Sequence, residues 1–155
     1  MHILLADDHD MVRETISAYL ESEGGAEVAL AIDLAGALQA IRQDGPFDLV
    51  LLDYQMPGMN GLTGLIQAIS ANKGGRVAIL SGNAPVKTAR EAIEAGAIGF
   101  IPKTMGAQSL LNAVWFMSSG EVYMPVEMMR EEAEAEAHPL TSKLSARELE
   151  VLDGL

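Results

Sequence analysis

Five polar residues stand at the ends of short apolar runs. Asp7 and Asp8 follow Ile3-Leu4-Leu5-Ala6, Asp53 follows Leu49-Val50-Leu51-Leu52, and Ser81 follows Val77-Ala78-Ile79-Leu80. Lys103 follows Ile98-Gly99-Phe100-Ile101 and Pro102. If each run is a strand of one parallel sheet, these residues share the carboxyl rim, where open α/β sheets bind their ligands. Three carboxylates brought together repel one another and need neutralising. Oxygen donors without His or Cys suit a hard cation, Mg²⁺ or Mn²⁺. Such an ion keeps several waters and readily takes a phosphate oxygen, while Lys103 and the Ser81 hydroxyl could meet the other phosphoryl oxygens. This is equipment for phosphoryl transfer, which needs positioning and charge neutralisation more than covalent work by the protein. Asp53 is then the nucleophile, forming an aspartyl phosphate.

The elements that must place these groups are legible as a pattern. Val28-Ala29-Leu30-Ala31 is the fifth apolar run. Continuous rather than alternating apolar runs predict strands covered on both faces. Helical spacings lie between them: Val12, Ile16, Tyr19 and Leu20; Leu34, Leu38 and Ile41, with Asp33 as N-cap; Leu62, Leu65, Ile66 and Ile69. Val86, Ala89 and Ile93 follow, opened by Pro85 and closed by Gly96; then Ala107, Leu110, Leu111, Val114 and Met117, ending near Gly120. Five βα units in strict alternation predict a doubly wound parallel sheet with helices on both faces.

Composition bounds the function. The chain has 155 residues, 49% of them hydrophobic, enough for one substantial domain and a remainder. With no cysteine it carries no disulfide, thiolate nucleophile or Cys-ligated metal, which fits a reducing cytosol. No apolar run approaches the ~20 residues of a membrane helix, and Asp7-Asp8 come too early for a signal peptide. The net charge of −12, with no basic cluster, argues against nucleic-acid binding by this chain alone. Residues 121–155 hold 9 acids and 3 bases against 13 and 7 in residues 1–120, so the tail is the more densely acidic. Within it Pro125–Ala137 has five glutamates and reads as a solvated linker helix ended by Pro139; Ser145 and Glu148 have the spacing of a capping box.

In these residues the sequence resembles the receiver domain of two-component response regulators over residues 1–120. The resemblance is carried by Asp7-Asp8, by Asp53 with Met56-Pro57 and Gly61 after it, by Ser81-Gly82, and by Lys103 after Gly99-Phe100-Ile101-Pro102. It implies a flavodoxin-like five-stranded sheet in the order 2-1-3-4-5. It implies Asp53 as phosphoacceptor and Asp8 as a direct Mg²⁺ ligand, with Asp7 acting largely through water. The Gln55 backbone carbonyl is then a further ligand and Lys103 the partner of the phosphoryl group. Ser81 turns inward to bond that group, and Phe100 moves inward as the aromatic switch. Gln55 and Asn83 take the positions that tune phosphate lifetime. Two departures matter. Thr104 rather than proline follows Lys103, so a cis bond there, costing about 3 kcal/mol or more, is not expected. Phe100 has no hydroxyl, so its switching rests on packing.

A second resemblance is to the NarL/LuxR subfamily, through Gly120-Glu121-Val122-Tyr123-Met124-Pro125 and through Leu144–Leu152, similar to the first helix of its helix-turn-helix domain. It implies an acidic linker over 121–143 and the start of a truncated DNA-binding domain over 144–155. The expected function is a cytoplasmic switch that takes phosphate from a sensor histidine kinase and catalyses only its own phosphorylation and dephosphorylation. The fourth helix, fifth strand and fifth helix would carry the change to a homodimer partner or to the missing effector domain; DNA is reached only through the missing domain.

Blander readings compete. His9 abuts the acidic pair and reads as a solvated histidine rather than a ligand. Trp115 and Phe116 fall off the main stripe of their helix, either as interface residues or as residues covered by the linker. A phosphatase of the haloacid dehalogenase type needs a second Asp where Gln55 stands. A nucleotide or flavin binder needs a phosphate loop where Asp7-Asp8-His9-Asp10 would repel the ligand. A phosphate-independent interaction module on the same fold is the remaining alternative.

Overall fold

The computed structural model describes residues 1–124. The expected linker helix, capping box and helix-turn-helix start lie outside the described residues. Ten elements alternate in order: β1 (His2–Ala6), α1 (Asp10–Ser22), β2 (Glu27–Ala31), α2 (Leu34–Asp44), β3 (Leu49–Asp53), α3 (Thr63–Ala71), β4 (Val77–Ser81), α4 (Val86–Glu94), β5 (Gly99–Pro102) and α5 (Ala107–Ser118). The strands form one parallel sheet in the order β2-β1-β3-β4-β5, the expected order. β3 and β4 are buried along their whole length, which is why their sequences are unbroken apolar runs.

Alternation along the strands assigns the faces. Ile3, Leu5, Leu49, Leu51, Ala78, Leu80 and Ile101 pack with Leu20 of α1 and with Leu110, Leu111, Val114 and Met117 of α5. The opposite phase is lined by Leu4, Val50, Leu52, Ile79 and Phe100, all buried. Asp7, Asp53 and Lys103 continue the first phase, so three strands aim them at one point. Ser81 continues the second phase, in the same register layer as Pro102 and next to the Ile79–Phe100 pair.

The helix starts and stops follow local chemistry. The Asp33 side chain accepts from the Gly36 N–H at 2.7 Å, capping α2 as its sequence predicts. Gly96 ends α4 at φ 114, a conformation that other residues rarely take. α3 differs in detail. Ile66, expected on its apolar face, is 54% exposed, and Gly64, Leu65 and Ala68 form the buried stripe. A Cβ on Gly64 would meet the backbone of Met59, so glycine lets the preceding loop pack closely against α3. After α5 the chain returns to the sheet. Tyr123 donates to the Ile98 carbonyl at 2.9 Å, and its own carbonyl accepts from Phe100 N–H at 3.1 Å. The compact unit therefore runs through Met124, with residues 122–124 covering the free edge of β5.

Candidate functional site

The site is built at the carboxyl rim where β1, β3 and β5 end. Burying Asp7 and Asp53, 0% and 1% exposed, costs free energy that only paired charge offsets. Lys103 supplies part of that charge. Its Nζ lies 2.9 Å from Asp7 Oδ2 and 3.2 Å from Asp53 Oδ2. Lys103 is itself placed by the sheet, since its backbone N–H donates to the Ser81 carbonyl at 2.8 Å. The ammonium faces these two oxygens as an ion pair only, and neither Asp7 Oδ2 nor Asp53 Oδ2 receives an aligned hydrogen bond.

The other two oxygens are tied to the backbone. Asp53 Oδ1 accepts from Gln55 N–H at 3.2 Å, and Asp7 Oδ1 accepts from His9 N–H at 2.8 Å. These contacts push the two carboxyls apart in acidity. Burial raises Asp53 above the ordinary carboxylate value, and the Asp7 charge adds to the rise against the Gln55 N–H and the Lys103 ammonium. Burial opposes ionisation of Asp7 as well, but the His9 N–H, the Lys103 ammonium and the His9 ring outweigh it and hold Asp7 below its ordinary value. Asp53 is thus the less stabilised of the two carboxylates.

Asp8 completes the acidic group from the solvent side, its side chain 35% exposed. One ligand atom from each of Asp7, Asp8, His9 and Asp53 lies within 4.8 Å of all the others. Above them opens a cleft of about 360 Å³ lined by His9, Val12, Gln55, Gly82, Asn83 and Lys103. Gln55 and Asn83 thus stand at the mouth above Asp53. The buried, incompletely bonded oxygens and the all-oxygen donors of the three aspartates fit a divalent cation such as Mg²⁺. The Lys103–Thr104 bond is trans, as expected without proline.

Two expected site residues sit apart from this cluster. The Ser81 hydroxyl accepts from Ala84 N–H at 3.1 Å, opening the loop before α4, and is not hydrogen-bonded to Asp53. Its strand phase points it away from Asp7 and Asp53. Phe100 is 1% exposed, so the expected inward movement has no outward starting point in this conformation. Without a hydroxyl to keep wet, the ring gains most by staying buried.

Arg13 is a positioning residue that sequence reasoning missed. Its guanidinium donates to the Asp7 carbonyl at 2.7 Å and to Asp10 Oδ1 at 2.6 Å, clamping the β1–α1 turn that carries Asp7, Asp8 and His9. The Asp10–Arg13 spacing of three on a helix is the signal that could have found it. On α5, Trp115 and Phe116 are each 46% exposed among the described residues.

Comparison with known proteins agrees with this geometry. Residues 3–115 match the response regulator receiver domain family. The chain is 37% identical over 129 residues to the glycerol metabolism activator of Pseudomonas putida, covering 83% of this chain and 58% of that protein. It is 33% identical over 157 residues to the probable transcriptional regulatory protein NarL of Mycobacterium tuberculosis, covering 99% of this chain and 72% of that one. Among solved structures, a LuxR-family two-component response regulator from Aurantimonas superposes with a TM-score of 0.79 at 28% identity, covering 88% of this chain and 97% of that one.

Proposed function

The chain belongs to the response regulator receiver domain family, and on that premise we propose that it is a phosphorylation-controlled switch whose phosphoacceptor is Asp53. The observation that carries the reading is the Asp53 carboxylate. It is buried, raised in pKa and incompletely bonded, and Lys103 Nζ stands 3.2 Å away beneath an open cleft. Such an anion is poorly stabilised in the resting state and gains from reaction.

In the proposed reaction the Asp53 carboxylate attacks the phosphorus of a phosphohistidine on a sensor kinase. The phosphorus–nitrogen bond breaks and the electron pair leaves with the imidazole. Lys103 holds a phosphoryl oxygen by charge as its ion pair with Asp53 is released. Asp8, Asp53 and the Gln55 carbonyl would hold Mg²⁺, with Asp7 acting through water. When bound, that ion supplies neutralising charge for the phosphoryl oxygens. Gln55 and Asn83 screen the cleft mouth and so set how readily water reaches the acyl phosphate.

The conformational output starts at Ser81. A phosphoryl oxygen accepts from the Ser81 O–H, and turning that side chain toward it draws Oγ away from Ala84 N–H and disturbs the loop before α4. Ser81 borders Phe100 in the sheet, and Phe100 N–H is bonded to Tyr123, so the disturbance has a physical route toward Met124. The relatives named as transcriptional regulators support a DNA-binding effector as the element controlled, in the cytoplasm.

Intact-protein mass after incubation with Mg²⁺ and acetyl phosphate tests the reading. One added phosphoryl group, absent in Asp53→Asn and in chelator, is the expected result. No gain in the folded parent protein overturns it in favour of a phosphate-independent interaction module.

A further inference from the structure

The sequence presents the rim as an all-oxygen site, whereas the folded chain adds a nitrogen. His9 Nδ1 lies 2.9 Å from Asp7 Oδ1, 3.2 Å from Asp8 Oδ1 and 3.7 Å from Asp53 Oδ2. It is also 3.1 Å from Lys103 Nζ. One ring nitrogen cannot serve all of these. Protonated, Nδ1 donates to the carboxylates but then faces the ammonium as a like-charged donor; unprotonated, it accepts from Lys103 but turns its lone pair on three anions. A cation held there removes the conflict, because the Nδ1 lone pair and the Asp8 and Asp53 carboxylates are ligands to it and Asp7 reaches it through water.

The spacing agrees. Ligands at about 2.1 Å from a metal ion stand about 3.0 Å apart in cis octahedral positions and about 3.4 Å apart in a tetrahedron. The Nδ1 separations from the Asp8 and Asp53 oxygens, 3.2 and 3.7 Å, lie close to those values. Asp7 and Asp53 share the Lys103 ammonium through Oδ2, at 2.9 and 3.2 Å, so the three aspartates carry more negative charge than that cation offsets. His9 is also free to serve. It is the N-cap residue of α1, yet its side chain makes no capping bond, and 59% of the side chain is open to solvent. Its N–H on Asp7 Oδ1 and the Arg13 clamp on the Asp7 carbonyl hold the ring over the cluster.

We infer that His9 Nδ1 is a direct metal ligand, making this a mixed nitrogen–oxygen centre that prefers first-row transition ions such as Mn²⁺ and Co²⁺ over Mg²⁺. The inference rests on the metal-assisted receiver reading and adds a ligand to it. Imidazole contributes little to Mg²⁺, which takes oxygen ligands and dehydrates reluctantly, but binds later divalent ions increasingly well.

The test is calorimetric titration of the full chain and of His9→Ala with Mg²⁺ and with Co²⁺. It is paired with pulsed electron paramagnetic resonance of the Mn²⁺-loaded parent, natural and ¹⁵N-histidine-labelled. The expected result is that His9→Ala weakens Co²⁺ about tenfold or more while Mg²⁺ binding changes little. A histidine nitrogen coupling that shifts on labelling and vanishes in the variant should accompany it. Parallel changes for both ions, or no such coupling in the loaded parent, overturn the inference while leaving the receiver reading intact. Failure of the parent to bind either ion, together with no phosphoryl gain on Asp53, overturns both. The resonance measurement on the parent is independent of how the variant folds.

Discussion

The two ends of the sheet each bury polar side chains, and they treat them in opposite ways. At the amino end Asn72, 1% exposed, closes α3. Its Oδ1 accepts from Phe47 N–H at 2.8 Å, and its Nδ2 donates to the Phe47 carbonyl at 3.1 Å. Two side-chain atoms and two backbone groups are satisfied at once, and the segment leading into β3 is fixed. At the carboxyl end Asp7 and Asp53 are as deeply buried, and each keeps an oxygen without an aligned donor. A buried group with every bond made is a fastener. A buried pair of anions with one shared ammonium is a state held short of its best energy, which a phosphoryl group and a cation can relieve. The difference separates residues that hold the fold from residues that the fold holds ready.

Substitutions at the two ends can break or sharpen that contrast. The largest effect is expected from Lys103→Ala. Losing the Lys103 ammonium beside Asp53 should slow phosphorylation by acetyl phosphate about 10²–10³-fold, the cost of removing one charged group from a developing transition state. A time course of intact mass measures it, and a rate near that of the parent would mean the ammonium only offsets charge in the resting chain. Asn72→Ala should do the reverse. It strands the N–H and C=O of Phe47, so urea unfolding should show a loss of about 2–3 kcal/mol, with the phosphorylation rate of the folded protein unchanged. A clear fall in that rate would dissolve the distinction between the two ends. Arg13→Ala lies between them. It frees the Asp7 carbonyl and the β1–α1 turn, so about 1 kcal/mol of stability should go. The same variant should also weaken divalent-ion binding, measured by titration calorimetry.

How far the sequence announces each end follows from the same physics. The carboxyl rim was legible because a continuous apolar run followed by a charged residue says both where a strand ends and what it presents. Asp7, Asp53 and Lys103 also share a strand phase, so their convergence needed only the strand order. Ser81 was placed on the rim correctly, but its phase sends its hydroxyl to Ala84. His9 read as a solvated residue, and its ring is largely open; that its Nδ1 enters the cluster depends on the turn geometry set by Arg13. Asn72 and Tyr123 were not legible at all. Each acts through backbone groups distant in sequence, Phe47 for one and the β5 edge for the other. No periodicity records a pairing of that kind.

The smallest expected effect tests the contrast most directly, because it predicts a gain. Asp53 is raised in pKa by burial, so its charge costs the folded state free energy that the unfolded chain does not bear. Asp53→Asn should therefore stabilise the chain at pH 7 in chelator, by on the order of 1 kcal/mol, while abolishing phosphorylation. The sign follows from linkage. A carboxyl whose folded pKa lies above its unfolded value favours folding when protonated, and that contribution is lost as pH rises through the folded value. The advantage of Asp53→Asn is thus largest where Asp53 is ionised in the parent and shrinks as acid protonates it. Asp7 runs the other way. Its folded pKa is lowered, so its charge favours folding above the unfolded value, and that contribution is lost as pH falls through the folded one. Asp7→Asn should destabilise at pH 7, and its penalty too should fade in acid. Thermal melts of both variants and the parent from pH 8 down to about pH 2 in chelator measure the pair. If Asp53→Asn melts lower than the parent at pH 7, Asp53 is bonded as completely as Asn72 is, and the carboxyl rim is not held in tension.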